Sequence, residues 1–140
     1  MDRILGIDYG DSRIGIAMSD VFGWTAQGLC VVNAKQKREN VINELIKIID
    51  QNKIKKIVFG YPLNMDGTKG SRALITDVFA MKLLESKPDL ELVKWDERLT
   101  SVAANKAMRE MGVSQKVKGV NDMIAAIFIL QGYLDSISNK

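Results

Sequence analysis

Hydrophobic positions in the first quarter of the chain repeat as they do in strands; beyond it, helical and strand-like spacing alternate. "RILGID" (3–8) is a short apolar run, and "GDSR" (10–13) is a turn built from turn-forming residues. In "IGIAMS", Ile14, Ile16 and Met18 alternate with Gly15, Ala17 and Ser19, the period of a half-buried strand. "TAQGLCVV" (25–32) supplies a third strand, and the short separations predict an antiparallel meander. Val41, Leu45, Ile48 and Ile49 then fall at i, i+4, i+7 and i+8, one face of an amphipathic helix. "IKKIVFGYP" (54–62) is a β-branched run stopped by Pro62, and "SRALITDVFAMKLLES" (71–86) is a helix closed by Pro88. "LELVKW" (90–95) is the last strand. Thr100 is a candidate N-cap for a helix to Met111, with Gly112 as its stop. The final segment, "NDMIAAIFILQGYLDSI", is apolar almost all round from Ile124 to Leu130 and suits a buried helix behind an Asn121 N-cap. Strands that follow helices should run parallel to the first through right-handed crossovers, giving an α/β layer with a mixed sheet.

Length and composition narrow the options. The 140 residues suit one domain, spanning 1–140, with 46% hydrophobic and 26% charged residues. No run approaches the ~18 apolar residues of a membrane span, and the N-terminus lacks a signal-peptide layout, so a cytoplasmic protein is expected. The single cysteine, Cys30, reads as a reduced core thiol, and there is no histidine. An internal disulfide, a Cys/His zinc site and a Ser-His-Asp triad are therefore ruled out. Any hydrolytic chemistry must use carboxylates, lysines, hydroxyls or a metal held by oxygen. The net charge of +3 and pI near 9.0 lean toward a polyanionic partner. Basic residues gather in two loop-like stretches, "NMDGTKGSR" (64–72) and "QKVKG" (115–119).

Acidic residues point to the chemistry. In open α/β sheets ligands bind beyond the carboxyl ends of the parallel strands. Asp8 closes the first strand there, flanked by Gly6 and Gly10, and Asp96 and Glu97 close the last. Asp122 opens the buried helix, with Ala125, Ala126 and Ile129 at i+3, i+4 and i+7 on its face, so it should aim at the same edge. Each has a plainer reading: Asp122 as a helix-dipole partner, Asp96 as a turn residue, Glu97 as a surface partner of Arg98. Asp8 is the hardest to read so, since an acid closing a buried strand is costly without a partner. Together they would repel and lose solvation unless a cation joined them, and with oxygen ligands Mg²⁺ or Mn²⁺ is the natural one. Two such ions roughly 3.5–4 Å apart hydrolyse phosphodiesters, and the bare glycines beside Asp8 would leave room for them.

"GIDYGDSRIGIAMSD", "GYPLNMDGTKG", "WDERLTS" and "NDMIAAIFILQGYLD", in order over residues 3 to about 135, closely resemble the YqgF/RuvX family of Holliday junction resolvases or pre-16S rRNA nucleases. The resemblance implies an RNase H-like fold, with three antiparallel strands, two further parallel strands and flanking helices. It also implies a metal-dependent nuclease that matures the 5′ end of small-subunit ribosomal RNA, with Asp8, Glu97 and Asp122 as its catalytic and metal-binding acids. Related resolvases carry an acid on the strand after the first helix; here that strand ends in Gly60, Tyr61 and Pro62, and Glu97 takes the place. Candidate substrate contacts are Arg13, Asn64, Lys69, Arg72, Arg98, Lys116 and Lys118. The partners implied are pre-rRNA, branched DNA or small-subunit precursor particles, acted on by a monomer or weak dimer without a membrane. Half of an actin-like ATPase, and a non-catalytic RNA-binding factor on the same fold, are the competing readings.

Overall fold

The structure, a computed structural model, describes residues 2–97 and 120–138. The helix expected over 100–111 and the candidates Arg98, Lys116 and Lys118 lie outside the described residues.

Strands β1 (Ile4–Tyr9), β2 (Arg13–Ser19) and β3 (Ala26–Asn33) form the meander. Helix α1 (Arg38–Gln51) leads to β4 (Lys56–Tyr61), α2 (Ser71–Ser86) to β5 (Glu91–Asp96), and α3 spans Val120–Ser138. The sheet order is β3-β2-β1-β4-β5. β1 pairs antiparallel with β2 and parallel with β4, and β5 extends the parallel half. The expected mixed sheet is therefore present, its strands within one or two residues of the predicted bounds. One limit differs with consequence: α3 starts at Val120, so Asn121 lies inside the helix instead of capping it.

The two faces of the sheet are unlike. On one, Leu5, Ile7, Ile14, Ile16, Ile57 and Phe59 pack against Val41, Leu45 and Ile49 of α1 and Phe79 and Leu83 of α2, all buried. Each such side chain contributes about 1.5–3 kcal/mol on leaving water, so most apolar stabilisation sits on this face. On the other face Ala17 and Val58 meet Ala126, Ile129, Leu130 and Leu134 of α3. Strand alternation puts Gly6 and Asp8 on this second face, as are Gly15 and Gly60.

Small residues let α3 approach closely. A Cβ at Gly6 would lie 2.7 Å from Leu130 Cβ, and one at Gly15 only 2.0 Å from the Asp122 carbonyl oxygen. Gly15 stands opposite Asp8 in the β1–β2 ladder, so this contact pins the start of α3 beside Asp8. Here one expectation is corrected. The space at Gly6 is filled by α3, and a Cβ at Gly10 would strike the Arg13 carbonyl oxygen at 2.5 Å within the β1–β2 turn. Those glycines serve helix packing and turn closure, so the space at the two positions themselves is already taken.

Candidate active site

Asp8 sits one residue before the end of β1 with its carboxyl on the α3 face, half-buried. Glu97 follows β5, and its side chain lies across β4: a Cβ on Gly60 would come within 2.5 Å of Glu97 Oε1. The absence of a side chain on β4 thus gives the glutamate its path toward β1. The Asp8 and Glu97 carboxyl groups are hydrogen-bonded to each other. Asp122, in the first turn of α3, completes the acidic neighbourhood, with its Oδ2 accepting from Arg13 Nε at 2.8 Å.

Electrostatics follow from this geometry. Burial, then the hydrogen bond with Glu97, then the charges of Glu97 and Asp122, push Asp8 from 3.8 up to about 8, against the pull of Arg72. At neutral pH Asp8 is therefore held largely in its protonated form. Arg72, in the first turn of α2, bonds the Asp11 carboxylate and, at 3.4 Å, the Tyr9 carbonyl, which holds its charge beside the strand end.

The acids suit a hard cation in part. Two carboxyl groups in contact, one made reluctant to ionise by its neighbours, share a proton where a divalent ion would relieve the same repulsion. Among the described residues, however, no three Asp, Glu or Cys side chains are grouped closely enough to hold a metal ion. Asp122 is near enough to raise the Asp8 pKa, yet its carboxylate is engaged by Arg13. Asp96, paired with Tyr61 in the ladder, falls by strand alternation on the opposite face from Glu97.

The remaining described candidates have partners within the fold. Asn64 Nδ2 donates to Thr68 Oγ1 at 3.0 Å, and Asp66 accepts from the Thr68 amide at 3.0 Å, closing the 64–68 loop into a tight turn with Gly67 at φ 88°. Lys69 lies 3.9 Å from Asp77 and over the Tyr61 ring. Sequence reasoning missed that second cluster. Asp77 on α2 accepts from Tyr61 Oη at 2.8 Å and is 2.7 Å from Lys94 Nζ; against the upward push of desolvation, the hydrogen bonds from Lys94 and Tyr61, and then the Lys94 and Lys69 charges, hold its carboxyl below the usual range. The signal available was an acid at helical spacing between Ala73 and Ala80, on the apolar face of α2.

A five-stranded mixed sheet of this order, flanked by helices on both faces, defines a class by fold, the RNase H-like proteins. RuvC of T. thermophilus, solved with a Holliday junction substrate, superposes over 99% of this chain and 96% of its own with a TM-score of 0.61, at 10% identity, a likeness of fold. The family model for RuvX, described as Holliday junction resolvase, matches residues 2–136, and the chain belongs to that family. It is similar to a protein of Ruminiclostridium cellulolyticum named "Putative pre-16S rRNA nuclease", 49% identical over 99% of this chain and 97% of that one. A protein of the same name from Acetivibrio thermocellus is 50% identical over 96% of each chain. The family is one of nucleases, hydrolases of phosphodiester bonds.

Proposed function

We propose that this chain is a metal-dependent nuclease that trims the 5′ end of the small-subunit ribosomal RNA precursor in the cytoplasm. One observation carries the reading: Asp8 and Glu97, from strands two apart in the sheet, meet as a carboxyl pair, with Asp8 raised to about 8. A structural acid pair would be a net cost, whereas a pair awaiting Mg²⁺ or Mn²⁺ is stabilised on loading. The names borne by relatives near 50% identity supply the choice of substrate.

Asp8 and Glu97 would hold the ion, with Asp122 as the third ligand. A divalent ion there supplies a Lewis acid for the phosphoryl oxygen and a water made acidic enough to attack at neutral pH. The chain's own residues do the rest. Asp8 would give up its proton to hold an ion, and the Arg72 charge favours its ionised form. The 64–70 loop, closed on itself through Asn64 and Thr68, presents Lys69 at the same sheet edge, where phosphate neutralises charge. Lys116, Lys118 and Arg98 are the further basic candidates for the backbone.

The test is cleavage of a 5′-extended 16S precursor fragment by purified protein with Mn²⁺. Wild type should release products with 5′-phosphate and 3′-hydroxyl ends, and a 2′-deoxy substitution at the cut should still permit cleavage. Asp8→Asn and Glu97→Gln should each lose at least about 100-fold in rate. A 2′,3′-cyclic phosphate end, or wild-type rates in both variants, would refute metal-assisted hydrolysis by this pair. Cleavage of a four-way DNA junction alone would reassign the substrate to branched DNA.

A further inference from the structure

Arg13 and Asp122 are 109 residues apart in sequence, and their backbones are fixed close together. Arg13 opens β2 and its carbonyl accepts from the Gly10 amide at 3.1 Å. Gly15, two residues on and on the same face, is pressed against the Asp122 carbonyl. Only the side chains are left to rearrange. The ion pair joins Arg13 Nε to Asp122 Oδ2 at 2.8 Å, with the arginine side chain 42% exposed and the aspartate 22%. Among the described residues the bond uses Nε alone, and the side chain is partly exposed, which leaves the two outer nitrogens, the part that can grip phosphate with two parallel N–H groups, for another partner. The same contact occupies the carboxylate that a three-acid cation site would need.

We propose that Arg13 is a resident counter-ion of Asp122 that a nucleic-acid phosphate displaces. The guanidinium exchanges its carboxylate for the phosphate, and Asp122 is released to join Asp8 and Glu97. Substrate thereby completes the cation site, and without it Arg13 stands in for the missing charge. Phosphate and cation binding are then coupled, each favouring the other. The proposal rests on the nuclease reading above.

Two measurements on metal-free protein test it without using activity. In calorimetric titration with Mn²⁺ and no nucleic acid, Arg13→Gln should bind the ion on the order of three- to tenfold tighter, because a competing charge worth a partly exposed ion pair is gone. In an Asp122→Asn background the same substitution should change affinity by less than about twofold. With a single-stranded RNA 12-mer in EDTA, Arg13→Gln should instead weaken binding and lower the salt slope by about 0.7, the share of one phosphate contact. Arg13→Lys should restore that slope. A purely structural role would move both affinities the same way. Unchanged or weaker Mn²⁺ binding by Arg13→Gln, or an equal shift in the Asp122→Asn background, would overturn the exchange. Should Arg13→Gln not fold, the wild type decides: its Arg13 Nε–H resonance should move on adding RNA, and a resonance that stays in place with RNA bound overturns the proposal. If no RNA binds at all, the nuclease reading fails, and the Mn²⁺ titration still judges the arginine.

Discussion

Gly60→Ala isolates the placement of Glu97 from every other property of the site. An added Cβ would lie 2.5 Å from Glu97 Oε1, 2.5 Å from Ile129 Cδ1 and 3.0 Å from Glu97 Cδ, where ordinary contact begins at 3.4 Å. The shortfall is about 0.9 Å at the first two atoms, and both end flexible side chains, so they can turn aside without moving β4. The cost in stability should then be that of mild overpacking, about 1–3 kcal/mol. For a chain of this size the melting temperature would fall by a few degrees to roughly 10 °C. The chemical effect should be much larger. Turning Glu97 aside removes its hydrogen bond and much of its charge from Asp8, two of the causes that lift the aspartate to about 8. Carbon-detected NMR titration of the Asp8 carboxyl in both proteins reads this directly: in Gly60→Ala the midpoint should drop, while melting stays cooperative and cleavage is lost. An unshifted Asp8 midpoint together with wild-type cleavage would show that Glu97 does not run over Gly60 to reach Asp8.

Two further perturbations follow from the same geometry. Between the unfolded value of 3.8 and the folded value of about 8, the native state holds a proton on Asp8 that the unfolded chain has lost. The Asp8 contribution to stability is therefore complete below pH 4 and lost as pH rises to 8. Asp8→Asn lacks this loss, so its melting temperature relative to wild type, in EDTA, should climb from pH 4 to 8 and then level; a constant difference would contradict the buried acid pair. Gly15→Ala should be the opposite of Gly60→Ala, since its Cβ meets backbone, the Asp122 carbonyl oxygen at 2.0 Å and its carbon at 2.4 Å. The start of α3 must lift from β2, at a cost of several kcal/mol. Denaturant titration should show it, and stability within about 1 kcal/mol of wild type would refute the close approach.

The fold was legible because its elements announce themselves by period: alternation in residues 14–19, helical spacing in 41–49, a β-branched run ended by Pro62. Strand ends put Asp8, Asp96 and Glu97 forward as candidates, the family resemblance chose Glu97 over Asp96 and added Asp122 of α3, and whether these acids bind metal rests on the experiments above. What the sequence did not disclose were pairings that only the tertiary fold creates. Nothing local links Arg13 to Asp122, or Asp77 to Tyr61 and Lys94. The glycines misled for a related reason. Bare backbone in a sequence reads as open space, yet at Gly6 the space is taken by α3 and at Gly10 by the Arg13 carbonyl.

The division of the sheet into a large-residue face and a small-residue face explains how so costly a site persists. Burying Asp8 beside two other acids disfavours the folded state, and the α1 and α2 face, with its closely packed Ile, Leu and Phe side chains, offsets that cost without touching the site. The α3 face gives up side-chain volume at Gly6, Gly15 and Gly60, and what it gains is proximity. Adjacent strands stand ~4.8 Å apart, so a residue after β5 is separated from β1 by roughly two strand spacings. A glutamate, one methylene longer than an aspartate, can cross the intervening strand only where that strand presents no side chain, and at Gly60 it presents none. The glycine on β4 and the glutamate after β5 are thus one feature, and neither would bring the carboxyl groups together alone.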